Sequence, residues 1–374
     1  MVATKWALAR DEIVRLVHRH TCVRRLARDV TGALKRAVPF DGVSLAVVDP
    51  ATVLPTRRVV MNGVDLALLP RLIETELRDL DLIKFRALAR QRRLAASLSE
   101  ATRGDLQQSP RYHEFCRPSG FDDELRVVCS DSMGTWGALN LFRKSGRQYF
   151  DAFEVGFLAS LAPLVAGGLR RAVMLDAKAS GDQHATDVVV LAPDNSIATA
   201  TPEAERRLAD LAAADTPGGE LPVAVLAVAA RARSLASDYQ SDSDRREPGF
   251  DTFARARVCT AQGNWLTVRG SVLGEGPCSP VAVLMEAARP PELAPLIADA
   301  CGLTNRERRV TELVAKGLST NDIGQRLHLS AYTVQDHLKS IFDKTGTGSR
   351  GEVVARLFFD YCAPRLLPPS GPEV

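Results

Sequence analysis

The chain has 374 residues, of which 45% are hydrophobic and 25% are charged, and its formal net charge is +3. These proportions are ordinary for a soluble globular protein, and at roughly 100–200 residues per domain the length predicts two or three domains. The nearly neutral charge excludes a uniformly basic coat protein, although a small domain could still bind DNA locally.

The N-terminus lacks the features of a targeting segment. Residues 1–10 contain no apolar core of the kind that a signal peptide needs. The longest apolar run, residues 157–169, is interrupted by Ser160, Pro163 and two glycines, and no run approaches the roughly 18 residues of a membrane helix. We therefore expect a cytoplasmic protein without a membrane span.

The first predicted unit covers residues 6–175 and begins with a long helical pattern. Between residues 6 and 36, apolar side chains recur at spacings of three, four or seven, which is typical of an amphipathic helix. A strand over residues 43–48 ends at Asp49-Pro50, and residues 66–93 are predicted to be mostly helical.

A hairpin and a final helix complete this unit. Residues 125–129 and 136–143 are predicted as the two strands of the hairpin, with Gly134 in the turn. Asp151, followed three residues later by Glu154, is a capping-box pattern that starts a helix with an apolar face.

The order of long helix, strand, helices, hairpin and long helix resembles that of a GAF-type sensory domain. Residues 115–171 carry this resemblance through Gly120, the Gly-Thr-Trp-Gly turn at 134–137, and Phe150-Asp151 before the last helix. The resemblance implies an α+β domain that either binds a small molecule or mediates pairing between chains.

The second predicted unit covers residues 188–288. It begins with a strand at 188–191 and a turn at 193–196, followed by a helix that Thr201-Pro202 would start. Gly263-Asn264 is predicted as a hairpin turn. Three later strands are predicted over residues 255–260, 265–273 and 281–286. This order resembles a PAS-type domain, which implies a second α+β fold with the same two alternative roles.

Polar and proline-rich stretches separate the predicted units. Residues 176–187 are small and polar and are predicted to be a linker, and residues 237–248 are predicted to be a polar, acidic loop. Pro290-Pro291 begins the connector to the third unit. Residues 363–374 are rich in proline and are predicted to be a disordered tail.

The third predicted unit, residues 298–362, contains four short helices, each with its own start signal. Thr304 and Ser349 each begin a capping-box pattern with a glutamate three residues later, and Ser319 and Ser330 stand at the other two helix starts. Short turns between the helices indicate a compact all-α domain. The second and third helices have the spacing of a helix-turn-helix, whose second helix enters the major groove of DNA.

The third of these helices carries a polar stripe opposite its apolar residues. Tyr332, Gln335, Asp336 and Lys339 recur at i, i+3, i+4 and i+7, so they share one face. Gln and Lys donate to base edges and phosphates, Tyr reaches a phosphate or a sugar, and Asp accepts from cytosine N4. On composition alone, this stripe could equally be the solvated face of a small helical bundle.

A longer pattern in the third unit resembles the LuxR-type helix-turn-helix. The pattern covers about sixty residues, and its positions match at fixed spacing without a gap. The matching positions are Leu303, Thr304, Arg306, Glu307, Val310, Leu313, Gly317, Leu318, Ser319, Ile323, Leu327, Leu329, Ser330, Thr333, Val334, His337, Ile341, Phe342, Lys344, Gly346, Ser349 and Arg350. The resemblance implies a bacterial-type transcription regulator that binds double-stranded operator DNA.

The resemblance also implies which side chains approach the operator. The candidate DNA-binding residues are Thr320, Asn321, Tyr332, Thr333, Gln335, Asp336, His337, Lys339, Lys344, Ser349 and Arg350. For Lys344, Ser349 and Arg350 the alternatives are that they hold phosphates or that they fix the last helix. His337 is expected to pack or to touch the DNA backbone rather than to read bases.

Three positions depart from the usual LuxR-type pattern. The family often has Lys or Arg at Gln335, Asn at Asp336 and Ala at Gly324. Fewer positive charges on the recognition helix predict weaker nonspecific DNA binding with a shallower salt dependence. Gly324 is expected to cost about 0.5–1 kcal/mol of helix stability relative to alanine.

The two upstream units indicate regulation without identifying its signal. Neither resembles a phosphoacceptor receiver domain, and no Walker loop for ATP is present. A homodimer is expected because one helix-turn-helix contacts too little DNA for high specificity. RNA polymerase and an unidentified small molecule are the other candidate partners, and no cofactor is expected.

Two other classes of function are alternatives to a regulator. An enzyme would need a nucleophile with its base or clustered carboxylates, and no elbow such as G-x-S-x-G is present. The 7 cysteines are scattered without a C-x-x-C pair, so free thiols are expected, with no metal site. A sensor or adaptor whose helix-turn-helix binds protein rather than DNA is the remaining alternative.

Overall fold

Two antiparallel sheets and a C-terminal group of helices make up the described part of the chain. The structure, a computed structural model, describes residues 2–77, 81–177, 186–215, 217, 221–240, 254–274 and 279–359. The predicted tail at 363–374 lies outside these residues, as do most of the predicted linker at 176–187 and most of the predicted loop at 237–248.

The N-terminal helical pattern forms two helices, which corrects the prediction of one long helical stretch. α1 (Val2–Arg19) and α2 (Val23–Ala37) are separated at residues 20–22 and run antiparallel, so that Arg36 pairs with Glu12 at 2.6 Å. The chain reverses because apolar residues of both helices, including the fully buried Ile13 and Leu26, face one core.

Five antiparallel strands form the first sheet, in the order β2-β1-β5-β4-β3. Their bounds are β1 (Gly42–Val48), β2 (Pro55–Asn62), β3 (Ala95–Ser97), β4 (Phe121–Asp131) and β5 (Gly134–Lys144). The predicted strand at 43–48 and the predicted hairpin are confirmed. β2 has no counterpart in the prediction, because the buried Arg57 and Arg58 break its apolar pattern, and β3 is too short to show one.

Both faces of this sheet are covered, and alternate residues of β4 belong to different cores. Leu125 and Val127 lie in the core with α1, α2 and α6 (Ala152–Asp176), whereas Val128 lies in the opposite core. The described residues between 66 and 93 are mostly helical, as predicted, but in short pieces. The elements on this side are a 3-10 turn (Leu66–Leu68), α3 (Leu69–Leu77), α4 (Phe85–Arg90), α5 (Leu98–Ala101), a 3-10 turn (Leu106–Gln108) and a π turn (Tyr112–Cys116).

α6 begins at the predicted capping box. The Asp151 carboxylate accepts the Glu154 N–H at 2.8 Å, and the Glu154 carboxylate accepts the Asp151 N–H at 3.1 Å. Of the described helices, α6 alone is long and apolar enough to cross a membrane. Its buried face, which includes Leu161 and Leu169, packs on β4 and α1, as expected for the core helix of a globular unit.

The second sheet repeats the strand order of the first. Its strands are β6 (Asp187–Leu191), β7 (Ile197–Ala200), β8 (Arg255–Cys259), β9 (Trp265–Val272) and β10 (Val281–Ala287), in the antiparallel order β7-β6-β10-β9-β8. The four predicted strands of this unit are confirmed, as is the helix that begins after Thr201, α7 (Pro202–Ala214). β7 is a short, largely exposed edge strand without an alternating pattern, which explains its absence from the prediction. The PAS-type resemblance of this unit stays a prediction.

A helix that the sequence analysis did not predict joins the two sheets. α8 (Val223–Gln240) contacts β9 of the second sheet and β2 of the first. Residues 223–230 are all buried, so no polar face marks a helical period. Residues 237–240 belong to α8, which corrects the first part of the loop predicted at 237–248.

Within residues 288–359, five helices follow the second sheet. They are α9 (Pro290–Ala300), α10 (Asn305–Ala315), α11 (Thr320–Leu327), α12 (Ala331–Thr345) and α13 (Arg350–Val354), and a π turn (Ala355–Phe359) continues α13. The four helix starts predicted after residue 303 are confirmed. The capping box predicted at Ser349 is only half present, because the Glu352 carboxylate accepts from Gly348 N rather than from Ser349 N.

Candidate nucleic-acid interface

The turn between α11 and α12 is fixed by the backbone and by one side-chain cap. His328 ends α11 in the left-handed region with φ of 54°, and Leu329 N donates to Gly324 O at 2.8 Å. Ser330 then caps α12 by accepting the Thr333 N–H at 3.0 Å. These local bonds set the angle at which α12 leaves the turn.

Gly324 allows the two helices to approach closely at this turn. A Cβ at this position would lie 2.7 Å from the Leu329 carbonyl oxygen, which is closer than real Cβ atoms pack. From the sequence, Gly324 is expected only to lower helix stability relative to alanine. The structure adds a steric reason for glycine, which depends on a contact five residues away.

One face of α12 is anchored in the core of the C-terminal unit. Val334 and Ile341 are fully buried and Leu338 is nearly so, at the spacing i, i+4 and i+7. Val310 of α10 and Ile323 of α11, both fully buried, belong to the same core. This packing fixes the rotation of α12 about its own axis, and therefore which side chains face outward.

The structure places the four residues of the predicted stripe together on the exposed face of α12. Tyr332 is 73% exposed, and Gln335, Asp336 and Lys339 are also exposed. Within the described residues, none of these four side chains makes a hydrogen bond or an ion pair. We define this set as the α12 stripe, and its donors and acceptors are available to a ligand.

Lys344, in contrast, is engaged inside the unit. Its ammonium contacts both oxygens of the Glu307 carboxylate, at 2.8 and 2.7 Å, and Ser340 Oγ donates to the same carboxylate at 2.7 Å. Burial alone would raise the pKa of Glu307, but the bonds from Lys344 and Ser340 outweigh it and lower the pKa to about 2. This cluster ties α10 to α12.

Arg350 also makes an internal contact. Its guanidinium donates to Leu318 O at 3.0 Å and to Thr320 Oγ1 at 2.5 Å, which ties α13 to the first turn of α11. Ser349 caps α13 through Glu352 N. Of the two alternatives left open by the sequence, these contacts have the geometry of residues that fix the last helix.

The other candidate residues lie around the α12 stripe. Asn321 is exposed on α11, and His337 is half-buried on α12. Thr333 is half-buried, and its hydroxyl lies 2.8 Å from Ser330 Oγ. Ser340 has no role predicted from the sequence, because its contact with Glu307 spans 33 residues and has no signal in local spacing.

The positive charge of the chain is concentrated in this unit. Residues 303–359 contain nine Lys or Arg and six Asp or Glu, a net charge of +3, so the remainder of the chain is formally neutral. The α12 stripe itself carries one base and one acid. Its attraction for phosphates is therefore supplied mainly by the surrounding helices.

Comparison with known proteins identifies this unit. Residues 302–357 match the family described as "Bacterial regulatory proteins, luxR family". Over 52 residues the chain is 48% identical to an HTH-type transcriptional regulator of Mycobacterium bovis, and this aligned segment is 14% of this chain and 6% of that protein. It is 36% identical over 55 residues to the spore germination protein GerE of Bacillus subtilis, covering 15% of this chain and 74% of GerE.

A solved structure is similar to the upstream part of the chain. The GAF domain/HD domain protein from Geobacter sulfurreducens aligns with 41% of this chain and 94% of its own length, at 18% identity and a TM-score of 0.31. Independently of that likeness, the first unit has the order of helices and hairpin that the GAF-type pattern predicts, with two additional strands.

Proposed function

This chain belongs to the luxR family of bacterial regulatory proteins, and we propose that it is a cytoplasmic transcription regulator that recognises a specific operator in double-stranded DNA. The α12 stripe is the observation that carries the proposal. Four side chains with the chemistry of base and phosphate recognition stand exposed and unpaired on the second helix of a helix-turn-helix.

Each residue of the stripe has a role in this proposal. Gln335 makes paired hydrogen bonds to an adenine edge, and Lys339 contacts a guanine edge or a phosphate. Tyr332 stands at the start of α12, where it reaches a phosphate or a sugar. Asp336 accepts from cytosine N4, and its charge disfavours a position near a phosphate.

We also propose that the protein acts as a homodimer. A single stripe of four residues covers too few base pairs for high specificity, whereas two copies read two half-sites one helical turn apart. The first unit offers an apolar surface for pairing on α1 and α6. There Trp6 stacks on Phe157 with ring centroids 4.9 Å apart, and Phe153 and Leu8 are 78% and 64% exposed.

The signal in this proposal reaches the DNA-binding domain through the two upstream units. The interior of the first unit is filled, on the face away from α6, by side chains of its own. Arg111 and Arg126 both pair there with the fully buried Glu124, at 2.5 and 3.2 Å. This packing favours a signal carried by protein contacts over a small molecule in that position.

The test is selection of bound duplexes from a randomised library by the full chain, followed by binding measurements on the best duplex. We expect the Gln335→Ala/Lys339→Ala double variant to lose most of its specific affinity, and Lys339→Ala alone to reduce the salt slope by about 1. Lys316→Ala, which removes an exposed charge from the end of α10, is the matched control.

The outcomes separate the proposal from its alternative. Unchanged binding by the double variant would refute the assigned reading surface. Failure of the wild-type chain to enrich any duplex would instead favour a sensor or adaptor whose helix-turn-helix contacts protein.

A further inference from the structure

The first turn of α9 is held by the second sheet. The Glu292 carboxylate accepts from Thr267 Oγ1 at 2.9 Å and from Arg269 at 2.5 Å, both on β9. The Glu292 carbonyl accepts from Arg257 of β8 at 2.9 Å. The start of α9 therefore cannot move without breaking three contacts to the second unit.

The apolar face of α9 packs against α6 and against the π turn Ala355–Phe359. Leu293, Leu296 and Ile297 are essentially fully buried. Leu296 lines one small internal cavity together with Trp136 of β5 and Trp265 of β9. Leu296 of α9 therefore lies beside side chains from both sheets.

The two sheets are themselves joined by a buried ion pair. The Asp49 carboxylate, at the end of β1, accepts from Arg257 Nη2 at 2.5 Å, from Arg257 Nε at 3.0 Å and from Arg257 N at 2.8 Å. Asp49 and Arg257 are 2% and 8% exposed. Because Arg257 also binds α9, one side chain connects the first unit, the second unit and α9.

The last turn of α9 contacts the DNA-binding domain. Asp299 forms an ion pair with Arg308 of α10, and the Asp299 carbonyl accepts from Arg170 of α6 at 3.5 Å. Arg170 also pairs with Asp131, at the end of β4, at 3.3 Å. Gly302, with φ of 75°, ends α9 and turns the chain directly toward α10.

These charged groups are less buried than the pair that joins the sheets. The side chains of Arg308 and Asp299 are 26% and 14% exposed, and those of Arg170 and Asp131 are both 16% exposed. The junction between the DNA-binding domain and the upstream units therefore combines partly exposed ion pairs with apolar packing of α9 on the π turn Ala355–Phe359. It leaves the α12 stripe uncovered, so it orients the domain rather than blocks it.

We propose that Asp299, Arg308 and Arg170 form a latch that holds the DNA-binding domain in one orientation on the upstream units, and that regulation works by releasing it. The regulatory part rests on the proposed function, whereas the latch is a property of the free protein. Closed, it fixes the direction in which each α12 stripe points. Open, it leaves the domain attached through residues 301–303 and through the packing of α9 on the π turn Ala355–Phe359.

Hydrogen exchange of the full chain without DNA tests the latch directly. We expect Arg308→Ala to speed exchange of the peptide over residues 300–304 about tenfold, because it removes both the partly buried ion pair with Asp299 and the hydrogen bond from Arg308 Nε to Leu303 O. Exchange within α12 should stay within about twofold of wild type. Arg309→Ala, an exposed neighbour on the same helix, is the matched control and should change neither peptide.

A second variant distinguishes loss of the latch from destabilisation of the DNA-binding domain itself. Arg170→Gln lies on α6, outside the DNA-binding domain, and should speed exchange of residues 300–304 in the same direction. Unchanged exchange of this peptide in both variants would overturn the latch. So would faster exchange of α12 in both, because the domain would then be unfolding rather than moving.

The effect on DNA is measured separately, on duplexes that carry one or two copies of the half-site obtained by library selection. Arg308→Ala should weaken binding to two half-sites about tenfold and leave binding to one unchanged, because free orientation lowers the effective concentration of the second domain. Equal loss on both duplexes would overturn the latch as a regulator. Absence of binding by the wild type would refute the proposed function and leave the exchange result standing.

Discussion

Truncation of Glu307 to alanine is the most direct test of how the DNA-binding domain is held together. The carboxylate is 5% exposed and accepts from Lys344, Ser340 and, at 2.7 Å, from Thr304 N. A hydrogen bond to a charged group contributes about 1.5–3 kcal/mol and a helix cap about 1 kcal/mol. Lys344 is 34% exposed and regains water when its partner is lost. We therefore expect the free energy of unfolding of the domain to fall by about 2–3 kcal/mol.

Hydrogen exchange of α12 in the full chain measures this loss. A decrease of about 2–3 kcal/mol corresponds to exchange roughly 30- to 150-fold faster in the peptides that contain Val334 and Leu338. Glu312→Ala removes a carboxylate from the exposed side of α10, the helix that also carries Glu307, and it is the control that should have little effect on α12 exchange. Exchange of α12 within about threefold of wild type in Glu307→Ala would show that the cluster does not hold α12.

The pKa of Glu307 fixes the sign of the pH dependence. It is about 2 in the folded protein, below the ordinary value of 4.5, so the charged carboxylate favours folding. This contribution is fully present above pH 4.5 and is lost as the pH falls toward 2. The difference in exchange between wild type and Glu307→Gln should therefore shrink over that range, and a constant difference would contradict the assignment.

Three further predictions concern other parts of the chain. Gly351→Ala should raise the free energy of unfolding by about 0.5–1 kcal/mol, since a Cβ there meets no atom within 4 Å. Gly324→Ala should leave it unchanged or lower it, because its Cβ would lie 2.7 Å from Leu329 O. Thermal unfolding of the two variants makes the comparison. Asp49→Ala leaves Arg257 buried without its partner and should cost about 3–5 kcal/mol, measured as a lower unfolding temperature of the upstream units. Lys339→Ala should lower the salt slope of DNA binding by about 1, measured by titration over a range of salt concentrations.

Each of these has an outcome that would contradict it. Equal stabilisation by the two alanine substitutions would mean that the turn between α11 and α12 relaxes at little cost. Asp11→Ala, which removes an exposed carboxylate from α1, is the control for Asp49→Ala, and similar effects of the two would argue against a buried pair. An unchanged salt slope would place Lys339 away from phosphates.

Long-range contacts explain most of what the sequence analysis missed. β2 contains the charged residues Arg57 and Arg58, which hide the strand until their partners are known. The Arg57 guanidinium pairs with Asp176 at 2.7 Å. The Arg58 backbone N–H donates to the Asp215 carboxylate at 2.7 Å, and the same carboxylate attracts the Arg58 charge. α8 is buried on all sides along its first half, so its pattern lacks the polar face that distinguishes a helix from a strand.

Long-range contacts also decide which candidate residues of the interface are engaged inside the protein. Lys344 and Arg350 stood among the candidate DNA contacts because charge and family pattern are visible in the sequence. Their partners Glu307 and Thr320 lie 37 and 30 residues away, and only folding brings them within hydrogen-bond distance.

The sequence by itself determined the helices of the DNA-binding domain and the face of α12 that carries the stripe. Both follow from local physics: Thr304, Ser319 and Ser330 satisfy backbone groups three residues away, and a helical period sorts buried from exposed side chains. The tertiary structure alone decided which charges stay free for DNA and how α9 joins the three units. Those outcomes depend on pairs such as Asp49 with Arg257, which are 208 residues apart and have no local signal.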